Sequence, residues 1–177
     1  MRVLIAGILG GIAMYVWASA AHLSPLAQIG VHSMPNEGAM NAALSLNLGD
    51  HAGVYVYPGP SADGKMASAP GKPEGLLSYT PHGSGGLSPR QLGVEFALEL
   101  AESLLLAFAL ANVAGFGARF GVAVLVGLIA AVATNVSYWN WYGFGADYTL
   151  ANAFIELMKF VVAGLVIALL LRRRQTP

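Results

Sequence analysis

Four long apolar runs, separated by more polar stretches, dominate the chain. They are Val3 to Ala21, Leu92 to Ala114, Phe120 to Trp139 and Leu150 to Leu171. Because a hydrocarbon core of about 30 Å needs about 20 helical residues, each run is long enough to cross a membrane. The pattern predicts four transmembrane helices, and the second is the least apolar because it contains three glutamates.

The stretch between the first two runs carries a helix signal of its own. The sequence Ser33-Met34-Pro35-Asn36-Glu37 is typical of a helix start, with a capping hydroxyl, an early proline and an early acidic residue. We expect Ser33 to cap a helix that runs to Leu48. Its apolar stripe contains Met40, Ala43, Leu44 and Leu48.

Two short segments further along alternate in the manner of strands. Val54 to Tyr57 alternates β-branched and aromatic residues, and Leu76 to Tyr79 is its expected antiparallel partner. Between them, Ser61 to Gly75 is rich in Gly, Pro, Ala and Ser and is expected to form a loop. One helix and one hairpin are too small to hold a core alone, so we expect this cap to lie on the ends of the membrane helices.

Composition supports the membrane interpretation and excludes other classes. The 177 residues are 56% hydrophobic and only 10% charged, with a mean hydropathy of +0.61. Soluble domains are about 25% charged, and disorder needs low hydrophobicity, so neither class fits. Nine basic and nine acidic residues give no net charge, which argues against nucleic acid as a partner, and zero cysteines exclude thiolate chemistry.

The arginines predict the orientation of the four helices. Arg2, Arg119 and the run Arg172 to Arg174 all fall on one side of a four-span chain. Positive residues favour the cytoplasmic side, so both termini are expected there. The sequence therefore predicts an all-α, multi-pass protein of the bacterial inner membrane: a four-helix bundle with a small α+β periplasmic cap. Its segments are 1–21 (first helix), 22–91 (cap) and 92–177 (helices two to four with a basic tail).

The first apolar run has an alternative interpretation. Ala18-Ser19-Ala20 fits the cleavage site of a secretory signal, and cleavage would leave three spans. Tyr15 and Trp17 favour a retained helix, because such rings are typical of the membrane interface. The spacing Gly7-x-x-x-Gly11 also favours retention, because it is typical of a helix-packing face.

A second row of small residues lies on the third run. Ala123, Gly127 and Ala131 recur every four residues, which lets two helix backbones approach closely. The row predicts either a seam within the chain or a contact with a second copy.

Charged residues within the apolar runs are the main functional signal. Glu95, Glu99 and Glu102 share one face of the second helix, and Glu156 and Lys159 share one face of the fourth. Counting about 1.5 Å per residue from the outer side places Lys159 at the depth of Glu102. We expect Lys159 to pair with Glu99 or Glu102.

This intramembrane cluster has four carboxylates for one ammonium group. An unpaired charge at the bilayer centre costs several kcal/mol, so protonation, hydration or a bound cation must balance the excess. Three roles remain open. The cluster is a polar clasp between two helices, a proton or cation site, or a contact with the charges of a partner subunit.

The histidines give only a weak metal signal. His22, His32, His51 and His82 all lie in the predicted cap, and none has the spacing typical of metal ligands. His22 is the one weak candidate, because it ends the first helix and can approach Glu95. No metal and no cofactor are predicted.

Aromatic residues are concentrated at the predicted outer boundary, where the third run ends and the loop after it begins. The residues in question are Tyr138, Trp139, Trp141, Tyr142 and Phe144. Interfacial anchoring accounts for such a group. A pocket for a lipid or quinone head group, or a docking surface, is the functional alternative.

Three stretches carry a resemblance. They are Met34-Pro35-Asn36-Glu37, Ser88-Pro89-Arg90-Gln91-Leu92-Gly93, in which Ser88 is expected to cap the second helix, and Tyr138-Trp139-Asn140-Trp141-Tyr142-Gly143-Phe144. With these motifs the chain resembles a group of small uncharacterised bacterial four-helix inner-membrane proteins. The resemblance spans most of the chain and supports the organisation above, but it implies no activity or cofactor.

Sequence motifs for catalysis are absent. The chain has no G-x-S-x-G elbow, phosphate loop, dinucleotide fingerprint or H-E-x-x-H, and Ser84 lies in a simple glycine tract. We therefore expect a non-enzymatic accessory or structural subunit, with the lipid bilayer and another membrane protein or a second copy as partners. The alternatives are a proton or metal-cation conduit through the intramembrane cluster, and a quinone- or lipid-binding subunit at the aromatic segment.

Overall fold

The computed structural model of the chain describes residues 1–65, 70–83 and 86–172. Within them the chain forms six α-helices and one two-stranded antiparallel sheet. The helices are α1 (Arg2–His22), α2 (Glu37–Leu48), α3 (Pro89–Ala111), α4 (Phe116–Ala131), α5 (Ser137–Tyr142) and α6 (Ala146–Leu170), and the strands are β1 (Gly53–Tyr57) and β2 (Gly75–Tyr79). The chain divides into a helical unit, Met1–Val31 with Ser88–Pro177, and a smaller unit, His32–Leu87.

Three helices are long and apolar enough to cross a membrane. They are α1, the continuous helical stretch Phe116–Tyr142, and α6. The remaining predicted span, α3, is 23 residues long, but every stretch of 18 residues within it contains three glutamates. The molecule is therefore mostly helical with three candidate spans. Charge content rather than length sets α3 apart from them.

The helical unit is built around α1 and α6. The most extensive contacts join α1 to α3, α1 to α6 and α6 to α4, whereas α3 and α4 touch each other only slightly. The helices therefore follow the spatial order α3, α1, α6, α4, with an open side between α3 and α4. A buried apolar core fills the half of the unit that contains Leu110 and Ile167.

Small residues produce the close helix contacts, at the positions that the spacing singled out. A Cβ atom on Gly7 would lie 3.1 Å from the Leu104 Cα atom, and one on Gly11 would lie 2.9 Å from the Leu100 Cα atom. On α4, Ala123, Gly127 and Ala131 are all buried. Because the row packs against α6, it is a seam within the chain.

Arg119 joins the ends of two helices. Its Nε atom donates to the Leu110 carbonyl at 3.1 Å, and its Nη1 atom donates to the Leu171 carbonyl at 2.9 Å. The last carbonyls of a helix lack partners within it, so this side chain caps α3 and α6 together. Arg2 and Arg172 line the same cavity of about 1310 Å³, and we call this the arginine end. Arg173 and Arg174 lie outside the described residues.

The smaller unit contains α2 and the predicted hairpin. β1 and β2 pair antiparallel with Val54 opposite Ser78 and Val56 opposite Leu76, so the hairpin prediction is confirmed. The predicted cap of α2 is wrong, because the Asn36 side chain rather than Ser33 accepts the backbone N–H of Ala39. Asn36 directly precedes the first helical residue, whereas Ser33 lies too far upstream to reach the first turn.

Two other boundaries differ from the prediction. The third apolar helix continues through a π-helical turn, Val132–Val136, into α5. Asn140 to Tyr142, which the sequence places in the loop after the third run, are therefore helical. The connection to α6 is correspondingly short, Gly143 to Gly145. The predicted cap on α3 is confirmed: Ser88 accepts the Gln91 N–H, and the Gln91 side chain accepts the Ser88 N–H.

Candidate functional site

Lys159 lies at the centre of the cluster of charged residues that the sequence predicts. Its Nζ atom is 3.5 Å from Glu99 Oε1, 3.4 Å from Glu102 Oε2 and 3.4 Å from Glu156 Oε2. The expected pairing on α3 thus involves both Glu99 and Glu102, and Glu156 on the same helix as Lys159 completes a ring of three carboxylates. The ammonium group is shared among them.

The three glutamates differ in burial. The side chain of Glu99 is 1% exposed and that of Lys159 is 9% exposed, whereas Glu156 is 24% and Glu102 is 40% exposed. The difference between the two α3 glutamates follows from the face of the helix on which each lies. Glu99 lies on the same side as the buried residues Ser103, Leu106 and Leu110, and Glu102 lies nearer the open side. Ser103 donates to the Gly7 carbonyl at 2.8 Å, which fixes α3 against α1 just below the cluster.

Glu99 keeps unused acceptor capacity. Its Oε1 atom has the ion contact with Lys159, but the alignment is not that of a hydrogen bond, and its Oε2 atom has no partner among the described residues. Lys159 donates a hydrogen bond to Glu156 Oε2 at 3.4 Å. A buried carboxylate normally accepts two or more hydrogen bonds, so Glu99 is open to a further donor.

The cluster forms one wall of a cavity of about 350 Å³, which we call the glutamate cavity. It lies where α1, α3, α6 and the π-helical turn meet, on the open side between α3 and α4. The lining residues are Ala18, His22, Glu95, Glu99, Glu102, Thr134, Asn135, Asn152, Ile155, Glu156 and Lys159. Two sequence-predicted neighbours, His22 and Glu95, are thus brought together with the rest of the cluster.

The π-helical turn places two polar residues in this wall. Thr134 donates to the Ala130 carbonyl at 2.7 Å, and Asn135 donates to the Ala131 carbonyl and to Thr134 Oγ1. π-helical turns within α-helices occur frequently at functional sites. The turn therefore adds a second, independent feature to the glutamate cavity.

The inner end of the glutamate cavity is closed. Following α6 beyond Lys159 leads to Ala163 and Ile167, and following α3 beyond Glu102 leads to Leu106 and Leu110, all of which are buried apolar residues. The cavity thus ends on the dry core and does not continue to the arginine end.

Metal ligation receives no support in the described residues. No group of three His, Cys, Asp or Glu side chains there could hold a metal ion. His22 lines the glutamate cavity beside Glu95, while His82 faces Asp50 at 3.6 Å in the smaller unit, with both side chains largely exposed. His32 and His51 are exposed.

The aromatic residues of α5 are largely exposed, and they contact one another and Phe144. Tyr138, Trp139, Trp141 and Tyr142 are 45% to 76% exposed. Tyr138 contacts Tyr142 with ring centroids 5.5 Å apart, and it contacts Phe144 at 5.7 Å. None of them lines the glutamate cavity, so the aromatic segment and the cavity are separate features.

Several residues of the site were not singled out by the sequence. Thr134 and Asn152 line the cavity, and the Trp17 indole donates to the Ile155 carbonyl at 3.1 Å, which ties α1 to α6 beside the cluster. Asn152 lies four residues before Glu156, so its spacing on α6 was an available signal. Ser84 and Gly85, in the glycine tract, lie outside the described residues.

Comparison with protein-family models, with curated proteins and with solved structures finds no match to this chain. The function must therefore be argued from the cavity and its surroundings.

Proposed function

We propose that the chain is a four-span protein of the bacterial inner membrane, with α3 as the additional span and both termini in the cytoplasm. The clustering of Arg2, Arg119 and Arg172 at one end supports this orientation, because positive residues favour the cytoplasmic side. Packing of α3 against α1 supports its insertion, since the buried Glu99 faces Lys159 rather than lipid.

We further propose that this protein is not an enzyme and that it binds a cation in the glutamate cavity, entering from the outer side. The observation that carries the proposal is Glu99: a buried carboxylate, 1% exposed, that lines the cavity with an unpartnered oxygen among the described residues. Four carboxylates and one ammonium group around the cavity leave an excess of negative charge. Intramembrane charges in excess of their partners are typical of functional sites.

Binding, rather than passage through the membrane, fits the closed inner end. A conduit needs polar groups or water along its whole length, and the buried apolar residues between Lys159 and the arginine end offer neither. The cavity therefore favours a receptor or storage role for the cation over a channel role.

Thermal unfolding in different salts tests this function. Purified protein in lipid nanodiscs is compared at equal ionic strength in potassium, magnesium, alkylammonium and choline chloride, with bulky choline as the reference. A cation present at about 100 times its Kd stabilises the folded state by about 2.7 kcal/mol, and we expect a rise of several degrees in Tm.

Two variants make the measurement specific. Glu99→Gln should remove the salt-dependent rise, because it deletes the buried charge with little change of shape. Glu37→Gln, on exposed α2 in the smaller unit, should retain it. Tm values that are identical in all four salts and do not change with the concentration of each salt at constant ionic strength would exclude cation binding.

A second candidate function is that of an accessory subunit, with another membrane protein or a second copy as its partner. The open side between α3 and α4 favours it, because Glu102 remains 40% exposed there at a depth where lipid cannot solvate a charge. Gentle extraction followed by mass spectrometry tests it, and the expected result is a stoichiometric partner. A lone monomer would exclude this candidate and leave the cation-binding proposal intact.

A further inference from the structure

The chemistry of the glutamate cavity wall narrows the class of cation, an inference that rests on the cation-binding function proposed above. Lys159 approaches three carboxylates at 3.4–3.5 Å. Hydrogen bonds between an ammonium group and a carboxylate are usually about 2.7–2.9 Å long. The built-in ammonium group therefore leaves acceptor capacity unused, most clearly at Glu99: both of its buried oxygens and the Oε2 atom of Glu102 have no hydrogen-bond donor among the described residues.

The amide and hydroxyl side chains of the wall donate hydrogen bonds to acceptors in their own helices. The Asn135 amide donates to the Ala131 carbonyl and Thr134 Oγ1, and the Asn152 amide donates to the Tyr148 carbonyl at 2.9 Å. Thr134 donates to the Ala130 carbonyl. Because these hydrogen bonds point back to the residues' own helices, the main feature that the wall presents to the cavity is its excess of four carboxylates over one ammonium group.

The size of the cavity and its ligand arrangement disfavour a bare metal ion. Metal binding needs several ligand atoms converging at about 2.0–2.6 Å from one point, and no group of three suitable side chains in the described residues could do so. A volume of about 350 Å³ lies instead within the range of pockets for small organic ligands, about 300–1,000 Å³.

We propose that the glutamate cavity binds a small organic cation that carries N–H donors, a primary ammonium or guanidinium compound. Its positive group lies between Glu99 and Glu102, beside Lys159, and donates to their unused oxygens. The ligand must carry both a positive charge and N–H bonds. A quaternary ammonium ion carries the charge but has no N–H bond.

Calorimetric titration of the protein in nanodiscs tests the class of ligand directly. The probes are n-butylammonium, tetramethylammonium, potassium and magnesium chlorides, each titrated at constant ionic strength. We expect n-butylammonium to bind at least ten times more tightly than the other three, because it alone combines a positive charge with N–H donors.

Three variants locate the binding. Glu99→Gln should weaken n-butylammonium binding at least tenfold, and Glu37→Gln should leave it unchanged. Lys159→Met should strengthen it, because the competing ammonium group is removed. If Lys159→Met does not fold, the loss of n-butylammonium binding in Glu99→Gln still shows whether the ligand binds in the glutamate cavity.

The two proposals fail in different ways. Tighter binding of potassium or magnesium, or equal binding of tetramethylammonium, would overturn the inference about N–H donors while the cation-binding function stands. Absence of binding by all four probes would overturn both. Unchanged n-butylammonium affinity in Glu99→Gln would overturn the assignment to this cavity.

Discussion

At the scale of single residues, Lys159 is the side chain on which most of the site depends. It is 9% exposed and contacts one fully buried and two partly exposed carboxylates. Removing one partner from a buried ion pair leaves an uncompensated charge, and the cost is larger than the net value of the pair. The cluster is therefore more sensitive to loss of its one cation than to loss of a single glutamate.

Lys159→Met should destabilise the protein by about 3–5 kcal/mol, because Glu99 would remain buried beside two other carboxylates without a positive charge. Reversible unfolding in mixed detergent and SDS micelles measures this free energy. The double variant Lys159→Met with Glu99→Gln should recover part of the loss.

The matched control is Lys65→Met, which removes another lysine from an ion pair. Lys65 and Asp63 are 3.0 Å apart, but their side chains are 83% and 55% exposed, and exposed pairs contribute little. Equal effects of the two lysine substitutions would contradict the importance given to burial.

Residue spacing predicted part of the site. Glu99, Glu102 and Lys159 were assigned to one cluster because helical spacing and depth from the membrane surface are both readable from the chain. Thr134 and Arg119 were not assigned their contacts. Their roles depend on which helices become neighbours, and helix order in space is not encoded in hydropathy.

At the scale of elements, the seam between α4 and α6 shows how small residues determine helix contacts in an apolar environment. A Cβ atom on Gly127 would lie 2.8 Å from the Phe160 Cβ atom and 3.0 Å from the Leu157 carbonyl oxygen. Between transmembrane helices, close packing of this kind replaces the hydrophobic effect as the source of association.

Gly127→Ala should destabilise the protein by about 1–3 kcal/mol, because the added methyl group forces α4 and α6 apart. Gly121→Ala on the same helix is the control: a Cβ atom there has no neighbour within 4 Å. Alanine is a better helix former than glycine, so that change should be neutral or stabilising by up to about 1 kcal/mol. Unfolding in SDS measures the change in unfolding free energy for both variants. If both variants were destabilised, or both stabilised, the result would contradict close packing of Gly127 against α6.

The long helices were easier to predict from the sequence than the irregular turn within one of them. Hydropathy located the long helices, and Ser88 with Gln91 marked the start of α3 correctly, because a capping box is a local interaction. The π-helical turn around Asn135 was not predicted, because no proline or glycine marks it and packing against α6 accompanies it. The chosen cap of α2 was wrong because Ser33 and Asn36 are both good capping residues.

At the scale of the whole molecule, the number of spans determines on which side each loop lies. With four spans, the connection between α3 and α4 is on the same side as the N-terminus. With only the three apolar helices inserted, that connection is on the opposite side together with residues 32–87. The α3–α4 connection therefore distinguishes the two arrangements.

Single cysteines can report these sides, because the natural chain contains none. We expect an impermeant maleimide to label Asn140→Cys and Ser45→Cys in intact spheroplasts, and Ala114→Cys only after the membrane is disrupted. All three positions are exposed. Labelling of Ala114→Cys in intact spheroplasts would show that α3 does not cross the membrane.

The spatial order of the helices also bears on how the protein is made. The central pair, α1 and α6, comes from opposite ends of the described chain, so a ribosome delivers α3 with its glutamates long before Lys159 is synthesised. During that interval the nascent chain carries negative charge that it cannot itself neutralise. Synthesis of α6 supplies Lys159, the ammonium group that contacts Glu99, and it supplies the Leu171 carbonyl through which Arg119 connects α3 to α6. A chain that ends before α6 therefore lacks the positive charge that faces Glu99 in the folded unit.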